Sequence, residues 1–296
     1  MRTVAVTAGP RRALNVAVSL AAVATAVVLA PQVLIGLAVA ATIVALVEVL
    51  WPLHRNGPRR NRAALVTDLT HAIGNRYLVV ALFIVLVGTA GPVAAWLVPD
   101  GVRAAVHALP APALVVGVFV LTDLANYAGH VAMHRIPLLW RLHAVHHSSE
   151  RLDWLATARV HPVDLAVSTA VASLPAYALG LAVTEPWLLT FLFLYPFLAH
   201  ANAHVRLPVL DRVIVSPELH HWHHAADRAA HDHNYGAILS VWDRLFGTAY
   251  EPGGFPVGYG IGDPDLAATD YLGHLLSPLP KLREIATASG RFAHKN

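Results

Sequence analysis

Long apolar runs alternate with more polar segments between residues 13 and 199. Six such stretches cover residues 13–30, 33–53, 77–98, 111–133, 165–183 and 187–199. About 20 helical residues cross the hydrocarbon of a bilayer, because each residue adds about 1.5 Å. The first four stretches are therefore predicted to span a membrane. The last two lie close together and contain Pro175 and Pro196, so they are predicted to form a short helical hairpin.

Arginine positions predict how these helices are oriented. Arginines precede the first stretch at positions 2, 11 and 12 and follow the second at positions 55, 59, 60 and 62, whereas the connecting Pro31–Gln32 carries no charge. Cytoplasmic loops are enriched in Lys and Arg. The N-terminus is therefore predicted to be cytoplasmic. The segments after the fourth and sixth stretches fall on the same side.

We expect an all-α fold, an integral membrane helical bundle of four clear spans and a short hairpin that carries a cytosolic, histidine-rich helical cap. Residues 1–110 would hold N-terminal transmembrane helices, 111–250 the core with the patterned histidines, and 251–296 a C-terminal cytosolic tail.

The amino-acid composition supports a membrane protein and excludes every site that needs cysteine. Hydrophobic residues make up 56% of the chain and charged residues only 13%, well below the roughly 25% of soluble domains. The net charge of +3 comes almost wholly from arginines that flank apolar runs, which does not suggest a nucleic-acid partner. The chain has no cysteine, which excludes disulfides, thiolate zinc sites, iron–sulfur clusters and a cysteine nucleophile.

Histidine is the most informative residue type, with 19 copies. Ten of them repeat one pattern twice, a pair four residues apart followed by a triplet: His130, His134, His143, His146, His147, His200, His204, His220, His223 and His224. Helical residues four apart share a face, so two imidazoles can reach one cation. Imidazole suits zinc, copper, iron and nickel. The pattern predicts a site for two metal ions.

The other histidines are interpreted differently. We expect packing or capping for those at positions 54, 71, 107, 274 and 294, and leave open a direct role for those at 161, 221, 231 and 233. Groups that orient metal-bound imidazoles are expected nearby. The candidates for that role are His161, Asp123, Asp164, His221, His233 and Asn234. Asp123 shares a helix face with His130, although a hydrogen bond between helices explains it equally well.

Sequence motifs around these histidines resemble those of the fatty acid hydroxylase / sterol desaturase superfamily of membrane di-iron enzymes. The His130–His134 pair, the HxxHH words at 143–147 and 220–224, LWRLHAVHHS at 139–148, NYG at 234–236 and LSVWDRLFGT at 239–248 all match its signatures. The similarity covers roughly residues 123–248. Asp164 stands where many relatives have Glu, which casts doubt on the role of that carboxylate.

The resemblance implies an O2-dependent oxidoreductase that uses two iron ions (Fe2+/Fe3+) to hydroxylate or desaturate a C–H bond of a lipid. The substrate would be a sterol, a fatty acyl chain or a related apolar molecule, with no catalytic side chain beyond the metal ligands. No haem-binding domain is recognisable, so electrons would come from a separate ferredoxin, cytochrome b5-like protein or reductase. The arginine-over-lysine, alanine-rich composition suggests a bacterial inner membrane.

Three other functions remain open at this point. A membrane metal transporter or metal-storage protein would place His and Asp near mid-bilayer, whereas here the histidines gather at one face. A zinc hydrolase would need a general base beside the metal, and the chain has no HExxH word. A purely structural metal site would leave so many histidines without an obvious purpose.

Overall fold

The computed structural model describes residues 31–54, 62–181, 195–205 and 209–279. Within these ranges the regular structure is helical, and extended backbone pairs only at the isolated bridges Pro52–Ala203, Ile214–Leu239 and Ala225–Tyr259. The all-α prediction is confirmed for this part of the chain. The predicted first span and most of the 187–199 stretch lie outside the described residues.

Ten helices follow one another within the described ranges. They are α1 (Pro31–Leu50), α2 (Arg62–Leu97), α3 (Asp100–His107), α4 (Ala111–Arg135), α5 (Pro137–His143), α6 (Pro162–Ala178), α7 (Pro217–His223), α8 (Val241–Phe246), α9 (Pro264–Ala267) and α10 (Tyr271–Leu276). Short 3-10 turns lie at His146–Ser148, Trp154–Ala158, Leu210–Arg212 and Arg228–Ala230. Residues 195–199 are also helical.

Proline marks where several of these helices begin. Helices α5, α6, α7 and α9 start at Pro137, Pro162, Pro217 and Pro264. The first residues of a helix have no intrahelical acceptor for their N–H, so proline loses nothing there, and its fixed φ already suits the helix. The sequence therefore specifies these starts locally.

Helix α2 begins well before the apolar stretch that predicts it. The pattern predicts a span over 77–98, whereas the helix starts at Arg62 and contains 36 residues. Its early turns carry Asp68, His71 and Asn75, which are all buried. Packing against later parts of the chain therefore extends the helix into a polar sequence.

Two described helical segments, Leu78–Leu97 and Ala111–Arg135, are long and apolar enough to cross a membrane. Their surfaces expose large apolar side chains such as Ile84, Trp96 and Val116, which are 63%, 81% and 61% accessible. Helix α1 coincides with the second predicted stretch, and Ala41–Leu50 is apolar but short. The count of four spans stays a prediction.

Helix α6 packs against both α2 and α4 and forms the centre of the bundle. The approach to α2 is close at Gly91, where a Cβ atom would lie 2.6 Å from a ring carbon of Tyr177. Helix α3 lies across the other ends of the bundle. Arg103 donates to the carbonyls of Val98 and Ala178, at 3.0 and 3.2 Å, and so ties the end of α2 to the end of α6.

Candidate metal centre

Nine of the ten patterned histidines gather into two groups beside the C-terminal end of α4. The five-histidine group contains His130, His134, His143, His147 and His223, and the four-histidine group contains His146, His200, His220 and His224. Within each group, one ring nitrogen from every residue lies within 4.8 Å of the others.

Local structure explains how the groups are divided. His130 and His134 lie one turn apart on α4, and α5 with the following 3-10 turn supplies His143, His146 and His147. Adjacent helical residues point about 100° apart. The pair His146–His147 therefore contributes one ring to each group, and His223–His224 at the end of α7 does the same.

Five of the rings are fixed from outside through Nδ1. The partners are the carbonyl of Tyr235 for His130 at 2.8 Å, Asp164 Oδ2 for His143 at 2.8 Å, the carbonyl of Arg159 for His146 at 3.3 Å, the carbonyl of Pro196 for His200 at 2.8 Å and the carbonyl of His233 for His223 at 2.8 Å. Each partner can only accept a hydrogen bond, so each Nδ1 is the protonated nitrogen.

This protonation pattern leaves lone pairs facing each other inside both groups. His130 Nε2 lies 3.1 Å from His143 Nε2, and His146 Nε2 lies 3.2 Å from His200 Nε2. When Nδ1 of a neutral imidazole carries the proton, Nε2 carries only a lone pair. Two lone pairs at this distance repel, and a cation between them turns the repulsion into attraction.

Further buried nitrogens have no hydrogen-bond partner within the described structure. They are Nε2 of His134, His223 and His224 and Nδ1 of His220. An unpaired buried polar atom is costly, and several in one place call for an unseen partner. The donor set is entirely imidazole, which iron and other first-row transition metals accept. The residues present therefore fit two metal ions.

Burial also keeps the rings neutral. Desolvation, followed by the mutual repulsion of neighbouring rings, lowers the pKa of His146, His147, His223 and His224 well below the usual 6.5. Neutral imidazole is the form that binds a metal. These four rings are therefore in the metal-binding form at neutral pH.

The same region carries the family relationship. Residues 115–248 match the Fatty acid hydroxylase family, and this range contains all nine grouped histidines. Over this region the chain is similar to the fatty acid hydroxylase family.

Three curated proteins are also similar to this chain. Ornithine lipid hydroxylase OlsE of Rhizobium tropici is 33% identical over 163 residues, which cover 55% of this chain and 49% of that protein. Alkylglycerol monooxygenases of Danio rerio and Homo sapiens are 33% and 30% identical over 146 residues, which cover 49% of this chain and 32% of each relative. The match thus spans about half the length of the first relative and a third of the others. No solved structure matches the chain.

One predicted ligand lies apart from the two histidine groups. His204 is exposed, its backbone N–H donates to the carbonyl of Trp51 at 2.7 Å, and its ring lies 5.5 Å from that of Phe255. Helical residues 195–199 end just before His200. The spacing of four therefore does not bring His200 and His204 to one helix face, and His204 joins neither group.

Two predicted carboxylates support the site in different ways. Asp164, at the start of α6, touches His143 directly, and its other oxygen accepts from Ser168 Oγ at 3.1 Å. Asp123 touches no histidine. It accepts from the backbone N–H of Ile238 and Leu239 and from the indole of Trp242, at 3.2, 3.1 and 2.9 Å, and so holds the 238–242 segment against α4.

The other predicted supporting residues act on the backbone around the histidines. His161 caps α6 by accepting from Val163 N, and His221 lies between Tyr259 OH and the carbonyl of Ala201. The carbonyl of His233 accepts from His223 Nδ1, and Nδ1 of the His233 ring lies 2.7 Å from the carbonyl of His231. Asn234, with a φ of 55°, joins the carbonyls of Leu219 and Tyr250.

The structure also reveals supporting residues that the sequence patterns do not single out. Asp243 accepts from the N–H groups of Tyr235 and Gly236, at 2.7 and 2.8 Å, and so holds the carbonyl that anchors His130. The neighbouring Arg244 pairs with Glu251. The WDRLFGT motif at residues 242–248 is the sequence feature that could have indicated a supporting role for Asp243.

A buried ion pair performs the same task at the four-histidine group. Arg159 Nε donates to Asp68 Oδ1 at 2.6 Å, and both residues are buried. The carbonyl of Arg159 accepts the hydrogen bond from His146 Nδ1. No sequence signal connects these two positions, because they lie 91 residues apart.

Proposed function

We propose that the chain hydroxylates a C–H bond of a membrane lipid and uses two iron ions and O2 to do so. The observation that carries the proposal is the pair of buried histidine groups whose unprotonated nitrogens face one another. The family supports lipid hydroxylation, and the relatives carry the names lipid hydroxylase and monooxygenase. These names favour hydroxylation over desaturation.

Five histidines would hold one iron ion and four would hold the other. When bound, the iron pair supplies the reduction of O2 and the oxidant for an unactivated C–H bond, and the protein supplies position and exclusion of water. The Nδ1 anchors fix five of the nine rings, whose Nε2 atoms would be available to hold the ions. Asp164 would increase the donor strength of His143 through its hydrogen bond.

The substrate would be a polar membrane lipid with an acyl or alkyl chain. Helices α2 and α4 would span the bilayer, with the histidine groups at its cytoplasmic face, as the arginine distribution predicts. A position near this face lets a lipid tail reach the metals while their charge stays close to water. Electrons would come from a separate protein.

The test is metal content after expression with iron and purification without oxygen. We expect about two iron ions per chain, with loss of iron in His146→Ala and His223→Ala. His204→Ala is the matched control, since its ring belongs to neither group, and it should keep both ions. If zinc occupies the site, the protein is stripped and reconstituted with ferrous iron before counting.

Activity is tested with the loaded protein in lipid vesicles containing extracted bacterial lipids, a reductant and O2. Mass spectrometry should show lipids that have gained one oxygen atom, and the gain should disappear in His146→Ala. One iron ion or none per chain in the wild type would overturn the two-metal proposal. Two iron ions without any oxidised lipid would overturn the hydroxylation proposal.

A further inference from the structure

Two short segments after the histidine groups form one lobe on the side of α4. This lobe, defined as residues 209–215 and 238–246, is held together by the bridge between Ile214 and Leu239 and by the donation of Ser240 N to the carbonyl of Val213 at 3.0 Å. By sequence it follows the last apolar stretch and would belong to the cytoplasm. Its contacts with α4 place it elsewhere.

Asp123 fixes the depth of the lobe. A membrane-crossing stretch of about 20 residues within Ala111–Arg135 must end between residues 130 and 135, which leaves Asp123 about 10–18 Å inside the inner boundary. Ile238, Leu239 and Trp242 donate to this carboxylate over 2.9–3.2 Å. They therefore lie at the same depth as Asp123.

A second contact gives the same result. The ring of Phe246 stacks on Tyr127 of α4 with centroids 5.4 Å apart. Tyr127 lies one turn from Asp123 towards the histidines, still within the apolar part of α4. The lobe thus follows α4 from its middle towards its inner end.

The outer surface of the lobe suits hydrocarbon. Val209, Leu245 and Phe246 are 81%, 69% and 56% exposed, and Leu210 and Val213 are each 49% exposed. The backbone groups at greatest depth are paired with Asp123 or across the bridge, as hydrocarbon requires. Arg212 and Arg244 have long side chains that can extend to the polar interface.

We propose that this lobe is embedded in the inner leaflet and that the acyl chains of the bilayer cover its apolar surface. The inference rests on the proposed membrane crossing of α4. It gives the enzyme a lipid-facing wall that leads to the five-histidine group, because the chain runs from the carbonyl of Tyr235, which anchors His130, directly into the lobe. A lipid tail would reach the metals along this wall instead of from the cytoplasm.

The test uses the absence of native cysteine, since one introduced cysteine is then the only thiol. Val213→Cys, Leu245→Cys and Phe246→Cys probe the lobe, Val116→Cys probes α4, and Val257→Cys, at a fully exposed position, probes water. Each variant is labelled with a fluorophore and placed in phosphatidylethanolamine–phosphatidylglycerol vesicles. Fluorescence is quenched either by nitroxides on the acyl chains or by iodide in the buffer. Unchanged metal content shows that each variant is folded.

We expect the three lobe labels to lose fluorescence with the acyl-chain nitroxide, as the α4 label does, and to resist iodide. The label at position 257 should lose fluorescence with iodide and resist the acyl-chain nitroxide. Lobe labels that respond to iodide while the α4 label does not would overturn the embedded lobe and leave the membrane proposal intact. An α4 label that itself responds only to iodide would overturn the membrane crossing, and the lobe inference with it.

Discussion

Five of the nine rings in the two histidine groups are each oriented by one Nδ1 acceptor, and Asp164 is the only carboxylate among these five acceptors. A carboxylate attracts the Nδ1 proton of His143 more strongly than a carbonyl does, which makes Nε2 a better donor to a metal. The effect belongs to one residue and can be removed without changing the shape of the site.

Asp164→Asn should weaken metal binding by about 10–100-fold, since the amide keeps the volume but loses the charge. The measurement is competition for ferrous iron against a chelator of known affinity. Ser168→Ala is the control, because it removes the bond to the other oxygen of Asp164 and leaves the carboxylate in place. Equal affinity in Asp164→Asn and wild type would contradict this role.

Gly236 is constrained by space around the anchor of His130. A Cβ atom there would lie 2.7 Å from the carbonyl of Leu239 and 2.8 Å from Asp243 Oδ2. Gly236→Ala should therefore lower the free energy of unfolding by about 1–3 kcal/mol and reduce metal binding at the five-histidine group. Thermal unfolding and iron content measure both effects. Gly258→Ala, which would meet nothing within 4 Å, should be close to wild type.

At the scale of elements, the early turns of α2 and the C-terminal helices hold the loop that carries Arg159. Val160 accepts from Asn75 at 2.7 Å, and His71 lies 2.9 Å from His274 of α10. Burial and the nearby His274 lower the pKa of His71 well below its usual value, so the His71 ring is neutral. Segments outside the matched family range thus support the metal site.

Asp68→Asn tests this support. Removing one partner of a buried ion pair leaves the other charge uncompensated, so the free energy of unfolding should fall by about 3–5 kcal/mol. The four-histidine group should also lose metal before the five-histidine group, because the carbonyl of Arg159 anchors His146. Thermal unfolding and iron counts measure these effects.

The exposed pair Asp100–Arg103 provides the comparison for Asp68. The Asp100 side chain is 99% accessible, so Asp100→Asn should change neither stability nor metal content appreciably. Asp68→Glu should restore part of the metal binding, since it keeps the charge. Equal loss of both metals in Asp68→Asn would show a general structural role and contradict the positioning of His146.

The sequence predicts the helical class, and nine of its ten patterned histidines lie in the two groups, because periodicity and spacing are local properties. His204 lies outside both groups because the helix does not continue past His200, where Trp51 and Glu48, from α1 and its C-terminal extension, contact residues 202–204. The Asp68–Arg159 pair and the Asp123 contacts join residues about a hundred positions apart. Only the folded chain shows such contacts.

For the whole molecule, the metals should be a main source of stability. Without them, both groups retain facing lone pairs and unpaired buried nitrogens. A ligand that binds only the folded state at a thousandfold excess over its dissociation constant adds about 4 kcal/mol. Chelation should therefore lower the unfolding temperature of the wild type markedly and that of His146→Ala/His223→Ala much less. The check is calorimetry with and without chelator.

Four of the five Nδ1 acceptors are main-chain carbonyls, those of Tyr235, Arg159, Pro196 and His233. A carbonyl is present whatever side chain its residue carries. Single substitutions at these positions should therefore have little effect on metal binding, although the carbonyls orient the rings. Deleting or inserting a residue moves the carbonyl itself. The length of the loops between the histidine motifs should accordingly be conserved more strictly than their sequence. Single-residue deletions near 233–235 should abolish metal binding, whereas most substitutions there should not.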